Sequence, residues 1–115
     1  MHPALAAALA EAAPLIAERG WTQPVPATIA AAERLLELVA TLPRAPAVQV
    51  EPEGTISLEW EAAEHGWLTL TVDDSGNLTH SAVLDEDEFT QAEPFGDALP
   101  GWAANLLQRL PATGH

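Results

Sequence analysis

Between residues 47 and 84 the apolar positions change from a helical spacing to strict alternation, and this change limits what the chain can fold into. Val48 and Val50 alternate with Gln49 and Glu51. Ile56, Leu58 and Trp60 alternate with Ser57, Glu59 and Glu61, and Leu68, Leu70 and Val72 alternate with Trp67, Thr69, Thr71 and Asp73. Side chains on a strand point to opposite faces in turn, so each run predicts a strand with one covered and one wet side. Pro52-Glu-Gly54 and Asp74-Ser-Gly-Asn77 separate the runs with residues suited to tight turns. With a further strand over residues 78–84, the segment 47–84 predicts an antiparallel β-meander of three or four strands.

The flanks keep the helical period. Residues 3–19 read as a helix with Pro3 in its first turn and Gly20 at its end, and Leu5, Leu9, Leu15 and Ile16 form a partial apolar stripe. Pro14 is expected to kink or divide this segment. Trp21-Thr-Gln-Pro-Val-Pro26 is an extended connector. A second helix is expected at 27–42, with Ile29, Leu35, Leu36, Leu38, Val39 and Leu42 on one side and Pro43 and Pro46 as its stop. Residues 85–97 read as irregular and acidic. A last amphipathic helix is expected at 98–110, from Leu99, Trp102, Ala103, Leu106, Leu107 and Leu110. The fold class is therefore α+β, one domain over 1–115, with helices covering one face of the sheet.

That arrangement divides the sheet residues into two sets. Val48, Val50, Ile56, Leu58, Trp60, Leu68, Leu70, Val72 and Leu78 belong on the covered face. The opposite face carries Gln49, Glu51, Ser57, Glu59, Glu61, Trp67, Thr69, Thr71, Asp73, Thr79 and Ser81, and is the best candidate surface in the sequence. Trp60 and Trp102 fall on apolar stripes. Trp67 falls by parity on the outer face, either as an interface anchor or folded over an edge.

Charge narrows the classes of partner. Seventeen Asp and Glu stand against four Arg with no Lys, a net charge of −13. Nucleic-acid binders neutralise phosphates with cations, so direct nucleic-acid binding and attraction to anionic membranes are both excluded. The acidity serves solubility, or it serves recognition of a protein with a basic surface. An acidic, Lys-free, Ala-rich composition also fits a high-GC bacterial or phage genome. Without Cys there is no disulfide frame and no thiolate chemistry. Residues 1–13 lack the positive start of a signal peptide, and their apolar run is broken by Glu11 and Pro14, so a cytoplasmic location is expected.

Catalysis finds little footing. His80 is the one histidine on a regular element, since His2 and His115 are terminal and His65 falls in a turn. A Ser-His-acid arrangement would draw on Ser57 or Ser81 with His80, but no sharp nucleophile turn or Gly-rich oxyanion segment accompanies them. His65, Asp73, His80 and Asp85 have no metal-ligand spacing, and the run Asp85, Glu86, Asp87, Glu88 lacks the pattern of a calcium loop. Glu59 and Glu61 face one way from an open sheet rather than across a cleft. No enzyme, metal site or cofactor is expected.

Trp21 with Pro24 and Pro26, the helix after it, Val48-Gln-Val50, Glu53-Gly-Thr-Ile-Ser-Leu-Glu-Trp60, Leu68-Thr-Leu-Thr-Val72 and Gly76-Asn-Leu78 follow one another in a set order. In this, residues 21–80 resemble an uncharacterised group of short bacterial proteins with a Trp/Pro opening, a helix and a Gly-x-Ile-x-Leu-Glu-Trp strand. The resemblance implies the same fold and supplies no catalytic residue.

Two functional classes follow. The first is a non-catalytic protein-binding module that occludes or regulates a basic partner, as antitoxins, immunity proteins and anti-restriction or anti-CRISPR inhibitors do. Its candidate binding residues are Glu51, Glu59, Glu61, Trp67, Thr69, Thr71 and Asp73 on the sheet, with Asp85, Glu86, Asp87 and Glu88 beyond it. The second is a structural subunit that forms a homodimer through the first helix or a strand edge.

Overall fold

The computed structural model describes residues 2–40, 45–61, 66–84 and 87–95. Among these residues two helices, α1 (Pro3–Arg19) and α2 (Pro26–Leu38), precede five strands: β1 (Ala47–Val50), β2 (Ile56–Glu61), β3 (Gly66–Val72), β4 (Asn77–Leu84) and β5 (Asp87–Pro94). The strands form one antiparallel sheet in the order β1-β2-β3-β4-β5. The fold is the α+β meander the alternation predicts, with one strand more than expected.

That fifth strand corrects the reading of residues 87–94 as irregular. It pairs with β4 from Leu84↔Asp87 to Asn77↔Pro94. Glu88, Gln91 and Glu93 offer no apolar alternation, so the strand rests on its backbone ladder and not on a hydrophobic pattern. Its end is tied down where the Phe95 N–H donates to the Gly76 carbonyl at 2.7 Å. The last expected helix, 98–110, lies outside the described residues.

Helix α1 starts at an N-cap supplied by His2, whose Nδ1 accepts from the Ala4 N–H at 3.1 Å. It ends at Gly20, which takes the left-handed conformation at φ 68°. Pro14, expected to kink or divide the segment, leaves it one helix. The proline removes the bond to the Ala10 carbonyl, and both residues are exposed, so water can take that carbonyl. Helix α2 opens with Pro26 at its first position after extended Val25. It closes earlier than residue 42, tightening at Ala40, whose N–H reaches back three residues to Glu37.

Both helices lie on one face of the sheet. Leu5, Ala8 and Ala12 of α1 and Ala31, Ala32, Leu35 and Leu36 of α2 join Val50, Ile56, Leu58, Trp60, Leu68, Leu70, Val72, Leu78 and Ala82 in one buried cluster. Val48 packs half-buried against it. Small Ala side chains at 8 and 12 allow α1 to approach β1 closely, while α2 lies over β2 and β3. Fully burying a Leu, Ile or Val side chain stabilises by about 1.5–3 kcal/mol, so this face holds the fold together.

The connector between the helices is strapped to the β1–β2 turn. The Thr22 N–H donates to the Pro52 carbonyl at 2.9 Å. Gly54 sits beneath it at φ +89°, where an added Cβ would meet Thr22 Cγ2 at 3.0 Å. Both the positive φ and the close approach require glycine there.

Candidate functional site

The pleat of β2 to β4 sorts the candidate residues. On the outer face, cross-strand pairs Glu61↔Trp67, Trp67↔Val83 and Glu59↔Thr69 place Glu59, Glu61, Trp67 and Thr69 together near one end of the sheet. Trp67 is 46% exposed, and only Val25, at 41%, is comparable among the large hydrophobic residues described. The alternative in which Trp67 folds away over an edge is thus not the one adopted. Glu61 is exposed, and Glu59 and Thr69 are half-buried. Ser81 and Thr90 continue the Glu59–Thr69 row with exposed hydroxyls.

Other candidates have structural work. Asp73, a candidate binding residue by its parity, accepts at Oδ1 from the N–H groups of Ser75 at 2.9 Å and Asn77 at 3.1 Å, closing the β3–β4 turn. Glu51 opens the β1–β2 turn, where its backbone N–H donates to the Thr55 carbonyl. Both turns stand at the end of the sheet opposite Trp67, roughly 20 Å away along β3 at the usual rise per residue. Thr71 shares a hydrogen bond with buried Ser57, Oγ to Oγ1 at 2.8 Å. Asp85 and Glu86 lie outside the described residues. Asp87 and Glu88, expected in a loop, open β5 instead, and Glu88 pairs with Val83. The backbone register therefore runs Glu61–Trp67–Val83–Glu88 across four strands at the Trp67 end.

His80 lies on the other side of the sheet. It is 2% exposed on the covered face, between Leu78 and Ala82 in the alternation. Ser57 and Ser81 are on the outer face, so the pleat separates them from His80 and the Ser-His arrangement does not form. Burial lowers the His80 pKa below the usual 6.5, with a hydrogen bond to the Gln91 backbone and the charge of Glu93 pulling the other way. The folded state thus takes up a proton only at a pH below that at which the unfolded chain takes one up. Stability from this group is present above pH 6.5 and is lost as pH falls from there through the folded pKa. Between pH 7.5 and 5.5 the thermal midpoint of the native protein should fall more steeply than that of His80→Leu. Equal slopes would contradict this account.

Two clefts flank α1. One, of about 170 Å³, is lined by Glu11, Leu15, Trp21, Val48 and Gln49 among others. The other, of about 260 Å³ between α1 and α2, is lined by Leu9, Ala13, Ile16, Ala17, Gln23, Pro24 and Ile29, with no charged side chain among the described residues. Among the described residues no three His, Asp or Glu side chains are grouped to hold a metal ion, and no helix is long and apolar enough to cross a membrane. No family model, curated protein or solved structure matches the chain.

Proposed function

We propose that this protein is a non-catalytic binding module that docks through the Trp67 end of its outer sheet face onto a protein with a basic surface and so occludes or regulates it. An inhibitor of a nucleic-acid-handling protein, of the antitoxin, immunity or anti-restriction kind, is the form that suits the charge. The observation that carries the reading is an indole left nearly half exposed and set directly across from a carboxylate. A large aromatic ringed by polar groups is the usual anchor of a protein interface. A net charge of −13 steers such a face toward cationic surfaces and away from nucleic acid.

The test is the salt dependence of the complex with the partner captured from the cell of origin. Raising sodium chloride from about 50 to 300 mM shortens the screening length from over 10 Å to under 8 Å. Association should then slow by at least about tenfold, with dissociation changed much less. A rate indifferent to salt would remove the basic-partner reading. One observation favours the homodimer instead: among the described residues β1 and β5 end the sheet, and a strand edge is a template for pairing. Light scattering on the eluting protein separates the two, since a dimer that persists in high salt supports the edge-paired reading.

A further inference from the structure

We infer that the Trp67 end of the outer face is a receptor for an arginine side chain of the partner, the guanidinium lying on the indole and forking to the neighbouring carboxylates. This inference rests on the binding-module reading and gives its partner a chemistry.

The geometry is set by the register. Glu61 is directly opposite Trp67 on the adjacent strand, and Glu59 is the diagonal neighbour on the same face. Side chains so placed have Cβ atoms about 5 Å apart when directly opposite and about 7–8 Å when diagonal, within reach of one group bound over the ring. Trp is the strongest of the aromatic rings for a cation above its face. A carboxylate beside the ring supplies the acceptor for the in-plane N–H groups that a stacked guanidinium presents at its edge. Thr69, between Glu59 and Ser81 in the next row, adds a hydroxyl on the same face.

Arginine fits this combination and lysine does not. The guanidinium is planar and weakly hydrated, so it can stack and donate sideways at once, whereas an ammonium is a compact, strongly hydrated point charge. The chain contains the stacking half of this chemistry internally: the Arg34 guanidinium lies over the Phe95 ring, 5.5 Å from its centroid. Arg34 belongs to α2 and Phe95, directly after β5, is buried in the core, so that pair is structural, while Trp67 is 46% exposed.

The experiment titrates the full chain with capped hexapeptides of alternating glycine and arginine, or of glycine and lysine. The readout is the indole N–H resonances, with that of Trp67 assigned from Trp67→Phe, together with the backbone amides of β2 and β3. The arginine peptide should shift the Trp67 resonance and bind at least about threefold more tightly than the lysine peptide at low salt. Glu61→Gln should weaken the arginine peptide more than the lysine peptide, and Trp67→Leu should abolish the preference. Equal affinities at Trp67, with both peptides released by salt, would overturn the arginine assignment and leave the basic-partner reading standing. If neither peptide moves Trp67 or the amides of β2 and β3, both fall.

Discussion

Trp60→Ala should lower the stability of the protein by about 3–5 kcal/mol, whereas Trp67→Ala, seven residues on, should change it by less than about 1 kcal/mol. Trp60 is 1% exposed on the covered face, where Leu68 stands opposite it and Ala82 lies one strand further on. Removing the indole leaves a cavity beneath the helices that this close-packed cluster can only partly fill. Domains of this size are stable by only about 5–15 kcal/mol, so the variant should unfold at a much lower urea midpoint or fail to fold at ordinary temperature. Trp67 is on the opposite side of the same sheet and makes no part of that cluster. The two residues have the same side chain, in neighbouring strands, and differ in the face they occupy. Equal losses would mean that the face assignment, and with it the candidate site, is wrong.

Glu59→Lys combined with Glu61→Lys should leave the far-ultraviolet circular dichroism and the urea midpoint nearly unchanged while weakening partner binding by at least about thirtyfold. Reversing charges that meet a complementary surface both removes attraction and adds like-charge repulsion, typically about 2–5 kcal/mol for groups desolvated in an interface. The same change in net charge made at Glu18 and Glu37, both exposed on the helices, is the control. Those substitutions alter only the long-range field and should slow association a few-fold. If the helix variants weaken binding as much as the sheet variants, the acidity acts as a bulk property and the outer face has no special part in it.

The face assignment was legible because the pleat leaves little choice. Once Ile56, Leu58 and Trp60 are committed to the core, Ser57, Glu59 and Glu61 must point away, and the partner strands inherit the same division through the register. By the same alternation, Leu78 and Ala82 take His80 inward with them. Strand β5 was hidden because a strand at the end of a sheet can be held by its ladder alone, and the run from Glu88 to Glu93 carries no alternation to announce it. The α1 contact was partly hidden because Ala8 and Ala12, which contribute little hydrophobic signal, lie against the core, while Leu15 lines a cleft.

The candidate site was legible in part. Glu59, Glu61, Trp67 and Thr69 are where the parity puts them. Asp73 was open to correction from the sequence itself, because Asp-Asp-Ser-Gly-Asn is the signature of a turn in which the first carboxylate caps the backbone. The use of Thr71 by Ser57 was not legible, since it depends on which two hydroxyls meet across β2 and β3. What remains after these corrections is a smaller patch at one end of the sheet, with its aromatic at the centre.

Val25 and Trp67 are the two large hydrophobic side chains most open to solvent among the described residues, at 41% and 46%. Val25 belongs to the connector between α1 and α2, and Trp67 to the outer face of the sheet. Hydroxyl-radical footprinting of the free protein and of its complex with the captured partner compares them in one experiment. Oxidation of Trp67 should fall sharply in the complex while that of Val25 is unchanged. Protection of Val25, with Trp67 as reactive in the complex as it is alone, would contradict it.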